Sequence, residues 1–217
     1  DGTADFTLDL TRENDDEPTF LHWFAPSHPQ TGLASRESKG AVSLADHIAT
    51  VTANARAIAA KLGLSSDVQA AITVAAEHHD DGKDRAQWQR AIGNRNYPET
   101  VLAKSSGGAA AFAETYRHEF GSLSTNAIAL PATDLAGHIV AAHHGRARPH
   151  FAADEIFDPE RSPCESREIA SAVPQRFAAL QLAYGRWGLA YLESILRAAD
   201  YAASTGIVAN TTVPAQA

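Results

Sequence analysis

"SLADHIATVTANARAIAAKLG", residues 43–63, decides the fold class. Leu44, Ile48, Val51, Ala55, Ile58 and Leu62 recur at spacings of three and four. That period lines up on one stripe of an α-helix, whereas a strand would need alternation. Ser43 can cap the first turn through its hydroxyl, and Gly63 can end the last one. The same texture continues outward. A second helix is expected from Ser66 to Asp81 on Val68, Ile72 and Val74, and a shorter one from Arg85 to Ile92. Another is expected over 108–129, with a possible break at Gly121, and another from Pro131 to about His143. Two last helices are expected over 164–184 and 186–204, meeting at Gly185. "DFTLDL" (5–10) alternates apolar and polar residues and reads as a short strand; other strand-forming runs are nearly absent. The expected fold is all-α: an N-terminal extension or linker (1–42), one helical-bundle domain (43–206) and a tail (207–217).

Composition sets the bounds. The 217 residues are 44% apolar, enough for one domain with a sizeable core. No apolar run approaches the roughly 20 residues that span a bilayer, and no secretory signal is expected. A single cysteine, Cys164, leaves no internal disulfide and fits a reducing cytoplasm. Methionine is absent, so the chain is expected not to begin at a translation start, and partner domains belong to the expectation. The net charge of −8 counts against broad nucleic-acid binding through a basic surface. Metal ions among the acidic groups would offset that objection. Basic residues also cluster, Lys83, Arg85, Arg90 and Arg95 in one stretch and Arg146 and Arg148 in another. No phosphate-binding G-x-x-x-x-G-K-[ST] occurs, so ATP use is not expected of this chain.

Ionisable residues sit where apolar ones belong. His47 lies beside Leu44, Ile48 and Val51, and Asp200 lies among Leu192, Leu196, Ala199 and Ala203. An unpaired buried carboxylate costs several kcal/mol, so Asp200 needs a cation, a donor network or a metal. "AAEHHDDGKDRAQW" (75–88) adds His78, His79, Asp80 and Asp81 at a helix end. Adjacent helical residues point about 100° apart, so one histidine and one aspartate of that run are bystanders. "RHE" (117–119) adds His118, placed inside a helix with Phe112 and Phe120, and "AAHHG" (141–145) adds His143 and His144. Imidazole and carboxylate ligands together suit Mn, Fe, Co, Ni or Zn better than Ca, and more than four ligands points to two ions.

The ordered pattern H…HD-x-GK…H…HH-G…D resembles the HD superfamily of metal-dependent phosphohydrolases, with His79–Asp80 as the adjacent pair and Lys83 three residues on. "RHE", "AAHHGRARP" and "LESILRAADYAAS" narrow the resemblance to the HD nuclease domain of the type I CRISPR-associated helicase–nuclease. The Arg-Pro after HHG is similar to the subtype whose HD domain is C-terminal to the helicase. The resemblance covers about 43–206. It implies that His47, His79, Asp80 and Asp200 hold one metal. His118, His143 and His144 hold a second, and Asp80 bridges the two. Lys83 contacts the scissile phosphate or orients the site. One departure is His78, at a position usually apolar in the family; the HD-x-GK spacing places the ligand at His79.

The implied chemistry is hydrolysis of DNA phosphodiesters by two-metal activation of water, with Asp80 and Lys83 as catalytic residues. The implied partners are single-stranded DNA, a helicase domain or subunit of the same system, and a crRNA-guided surveillance complex in cytoplasmic antiviral defence; no membrane is implied. Arg85, Arg90, Arg146 and Arg148 are candidates to line the strand's path, and Trp88 to stack a base. The rivals are an HD phosphohydrolase acting on a nucleotide or cyclic nucleotide, and a degenerate HD domain serving as a scaffold. His138, five residues before His143, falls outside the pattern.

Overall fold

The structure is a computed structural model that describes residues 6–9, 20–23, 40–105, 116–123 and 133–208. The chain separates into two compact units, Asp1–Ala34 and Ser35–Ala217. In the first, β1 (Phe6–Asp9) pairs antiparallel with β2 (Phe20–Trp23), Phe6 opposite Trp23 and Asp9 opposite Phe20. β1 falls where the alternation of "DFTLDL" predicts it.

The second unit is helical and carries the candidate site. α1 (Leu44–Lys61) starts at the expected cap: Ser43 Oγ accepts from the Asp46 amide at 3.0 Å. α2 (Ser66–His78) follows and stops short of the Asp81 expected from sequence. A single 3-10 turn, Asp81–Lys83, replaces its last residues, and α3 (Ala86–Ala91) comes next. The sequence reading did not foresee β4 (Leu102–Lys104), which pairs antiparallel with β3 (Val42–Ser43) just ahead of α1. The helix expected over 108–129 is not continuous. Arg117 is extended (φ −107°, ψ 116°) and α4 covers only His118–Ser122, so His118 is its first residue and not an interior one. The rest of that span, Phe112 included, lies outside the described residues.

α5 (Thr133–Ala142) and α6 (Pro163–Ser204) complete the bundle. α6 is capped by Ser162, has Pro163 in its first turn, and is broken at Gly185 (φ 71°), where two helices were expected to meet. The fold is all-α, as the periodicity predicts. Its core joins Val51, Ala55 and Ala59 of α1 to Ala71, Ile72 and Ala75 of α2, Ile139 and Val140 of α5, and Leu189, Leu192 and Leu196 of α6. The many alanines let helix backbones approach closely. Leu62, expected on the α1 stripe, is exposed in the cap, and Ala59 closes the last buried turn instead. Among the described residues, no helix is long and apolar enough to cross a membrane.

Candidate metal centre

The end of α2 sets the centre. His79 caps the helix and Asp80 leaves it (φ −111°, ψ 6°), so the two side chains diverge from the regular 100° spacing and both turn inward. His79 and Asp80 are buried, whereas His78 and Asp81 are half-buried and pair with each other at 2.7 Å. The doubled letters thus divide into an inner and an outer pair, with His79 inside.

The following turn is clamped onto α4. Gly82 N–H donates to Ser122 Oγ at 2.9 Å, and Ser122 Oγ donates to the His79 carbonyl at 2.8 Å. Tyr116 OH donates to the Gly82 carbonyl at 2.7 Å. Lys83, buried, curls back to place Nζ 2.7 Å from Asp80 Oδ2. Trp88, 1% exposed, packs against the His118 ring (4.8 Å between centroids) with Lys83 Nζ over its face. Its place is inside the fold, and the packed reading of Trp88 holds over base stacking.

Four of the expected ligands, His47, His79, His118 and His143, approach the fifth, Asp80, from different elements; Asp200 reaches His47, and His144 stands beside them. Asp80 Oδ2 lies 3.2 Å from His47 Nε2 of α1 and 3.4 Å from His79 Nε2. Asp200 Oδ1 of α6 lies 3.2 Å from the same His47 nitrogen. The other oxygen, Asp80 Oδ1, faces away from that group: His118 Nε2 is at 3.3 Å and His143 Nε2 at 3.9 Å. His144 stacks on His143, 4.1 Å between centroids, at the solvent-exposed edge. Two sets therefore form, His47–His79–Asp80 and His118–His143–His144, in each of which the potential ligand atoms lie within 4.8 Å of one another. His143 and His144 follow the last turn of α5, where Gly145 (φ 79°) reverses the chain and lets both rings face the same space.

These residues could hold metal. His79 Nδ1 donates to the Ala76 carbonyl at 2.8 Å and His143 Nδ1 to the Val140 carbonyl at 2.6 Å. A carbonyl only accepts, so the proton sits on Nδ1 and each Nε2 offers a lone pair to the centre. Nε2 of His47, His79, His118 and His143 and Oδ1 of Asp80 are buried without a well-formed hydrogen bond, while Oδ2 of Asp80 has the Lys83 ammonium at 2.7 Å. Such a concentration of buried, unsatisfied acceptors is costly in a protein interior, and a cation is the partner that fits.

The electrostatics agree with that fit. Burial opposes the Asp80 charge, but His79, Lys83, His118 and His47 hold its carboxyl well below the usual carboxylate range. Burial likewise opposes the Asp200 charge, and the His47 contact outweighs it. Burial pushes the His143 imidazole down to about 4, and its neighbours His79 and His118 push the same way. His144 is driven down by burial and then by His143. His143 and His144 are thus kept neutral, the state a metal requires of imidazole.

Three buried polar groups went unread in the sequence. Lys104 of β4 donates to Ser204 Oγ at 2.5 Å, and Ser204 Oγ donates to Asp200 Oδ1 at 3.4 Å, which ties the candidate ligand Asp200 to the short ladder. Burial pushes the Lys104 ammonium down, and Asp200 works against that. Glu193 of α6 receives His138 Nε2 at 2.7 Å and pairs with Arg148, fastening the chain just past His143 and His144 to α6. Its position on the stripe of Leu189, Leu192 and Leu196 is the sequence signal that could have exposed it, as it exposed Asp200. Glu119 is buried with one oxygen 3.4 Å from His118 Nδ1, in the quoted "RHE".

The four candidate DNA-binding arginines differ in setting. Arg85 makes a two-pronged pair with buried Asp158, at 3.0 and 3.1 Å, and Arg148 reaches Glu193. Arg146 is half-exposed and lies 3.3 Å from Glu155. Arg90 is exposed and lines a surface cavity of about 680 Å³ with Arg95 and Tyr97. No family model, no curated protein and no solved structure matches the chain.

Proposed function

We propose that this chain is an HD-type metal-dependent nuclease domain that hydrolyses phosphodiester bonds of single-stranded DNA in type I CRISPR interference. One observation carries the reading: Asp80 sends one oxygen to His47 and His79 and the other to His118 and His143. A carboxylate shared by two imidazole sets is the donor arrangement of a two-ion centre. His47, His79, Asp80 and Asp200 would hold one divalent transition-metal ion, drawn from Mn, Fe, Co, Ni and Zn. Asp80, His118, His143 and His144 would hold the second. Ions so placed supply Lewis acidity and a water of lowered pKa for phosphoryl transfer.

The chain's own residues do the remaining work. Asp80 stays ionised because the charges around it, Lys83 at 2.7 Å among them, outweigh the cost of its burial. Lys83 Nζ lies 2.7 Å from Asp80 Oδ2, where it would orient the carboxylate or contact a phosphate oxygen. His144, at the exposed edge, marks the side from which substrate enters. Arg90 and Arg95 offer phosphate contacts on the surface. The helicase that delivers the strand and the crRNA-guided complex that recruits it are the partners of this reading, and the cytoplasm is its compartment.

The test is an assay of the purified chain with manganese against circular single-stranded DNA and a panel of nucleotides and cyclic nucleotides. Nicked or degraded circles, lost in Asp80→Ala, are expected. Nucleotide turnover with intact DNA would replace the nuclease by a nucleotide phosphohydrolase. No activity and no bound metal in either protein would leave a scaffold.

A further inference from the structure

We propose that Glu119 is a positioning residue: it accepts the Nδ1 proton of His118 and so fixes the tautomer that aims the His118 Nε2 lone pair at Asp80 and the second ligand set. The inference rests on the metal-centre reading above. Each histidine of such a centre must place its proton on the nitrogen that faces away. His79 and His143 solve this with the carbonyl three residues upstream, Ala76 O and Val140 O, because each follows helical residues. His118 has no such turn behind it, since it opens α4 and Arg117 before it is extended. It therefore needs an acceptor from elsewhere.

Glu119 supplies one. Its side chain is 3% exposed, and Oε2 lies 3.4 Å from His118 Nδ1. That same oxygen is buried without a hydrogen-bond partner. Arg117, the nearest cation in sequence, is turned away, with Nε 2.8 Å from Glu155 Oε1. A buried carboxylate oxygen lacking a donor thus faces the outward nitrogen of His118. A small ring rotation closes the gap to the roughly 2.8 Å of a charge-assisted hydrogen bond. A carboxylate also makes the ring a stronger donor to a cation than a carbonyl does, which sets His118 apart from His79 and His143.

Two measurements on the 217-residue chain test this. Nitrogen–proton correlation spectra of zinc-loaded protein are expected to show a His118 Nδ1–H proton shifted downfield by its carboxylate acceptor in the wild type and moved upfield in Glu119→Ala. Manganese titration is expected to show two ions in the wild type. In Glu119→Ala one ion is kept and the other is weakened about 10- to 100-fold. Glu119→Gln, which keeps the shape and an acceptor oxygen, recovers part of that loss. An Nε2–H tautomer in the wild type, both ions weakened together, unchanged affinity in Glu119→Ala, or no recovery in Glu119→Gln would each overturn the positioning role while leaving the two-ion centre intact. Absence of manganese binding by the wild type would instead remove the centre and the proposal together.

Discussion

Gly82→Ala is a demanding test of how the centre is held. A Cβ built on Gly82 would run into the carbonyl carbon and oxygen of His118 and the amide nitrogen of Ser122. All three are backbone atoms of α4, so no side chain can swing aside. The backbone of Gly82 is also fixed from both sides, by Tyr116 OH on its carbonyl and Ser122 Oγ on its N–H. Overpacking costs typically 1–3 kcal/mol, and with only backbone to yield, a loss of about 3 kcal/mol is expected here. For a chain of this size that corresponds to a drop in Tm of about 6–12 °C. Relief by moving the turn away from α4 also separates Asp80 Oδ1 from His118 Nε2, now 3.3 Å apart. Affinity for the second ion should therefore fall along with stability. Gly188→Ala is the control: its new methyl meets only Tyr184 Cβ at 3.5 Å, an ordinary contact inside α6, so it should gain about 0.5–1 kcal/mol. Calorimetry and manganese titration read both quantities. A Gly82→Ala protein within 1 kcal/mol of wild type, with both ions bound as tightly, would refute the close approach of the turn to α4.

Other outcomes follow from the same geometry. His79→Ala should abolish manganese-dependent cleavage while His78→Ala largely spares it, because only His79 faces Asp80; the reverse result in a nicking assay would move the ligand to His78. Arg85→Ala should destabilise the fold by about 3 kcal/mol in urea titrations, since it takes the two-pronged cation from the buried carboxylate of Asp158. Arg90→Glu should leave stability within about 0.5 kcal/mol and weaken single-stranded DNA binding in a low-salt fluorescence titration; unchanged binding would exclude that surface. For metal-free protein, the pKa of His143 falls from 6.5 unfolded to about 4 folded. Stability linked to neutral His143 is thus complete above pH 6.5 and is lost as pH falls through that window, by about 3 kcal/mol at most. His47, whose pKa is raised, works in the opposite sense and offsets part of it. His143→Asn should flatten the decline in stability between pH 7 and 4.5, and identical slopes would refute the assignment.

What could be read from the chain, and what could not, divides by the range of the interaction. The stripe of α1, its Ser43 cap and the break at Gly185 are local signals, and the helices stand where they predict. The early end of α2 was hidden because the apolar period runs on while Gly82 is pressed against α4, a contact made 40 residues away between Gly82 and Ser122. Likewise the spacing of Phe112 and Phe120 suggested one helix through His118, where the extended Arg117 instead begins a new one. The short β3–β4 ladder is too brief to announce itself, yet it brings Lys104 to Ser204 and so to Asp200.

The candidate ligands were legible because a charged group on an apolar stripe demands a partner, and several such groups recur in order along the chain. The groups that steady them were not, for opposite reasons. Lys104 and Glu193 find their partners across the fold, which no spacing encodes. Glu119 stands next to His118 in sequence, but its task appears only once His118 is known to open a helix and to lack an upstream carbonyl. The same physical rule, that a buried polar atom must be answered, links all three cases. It points from Asp80 outward to the histidines, and from the histidines to the acceptors of their second nitrogens. Substitutions in that outer ring should therefore weaken the centre without removing a single atom that faces Asp80.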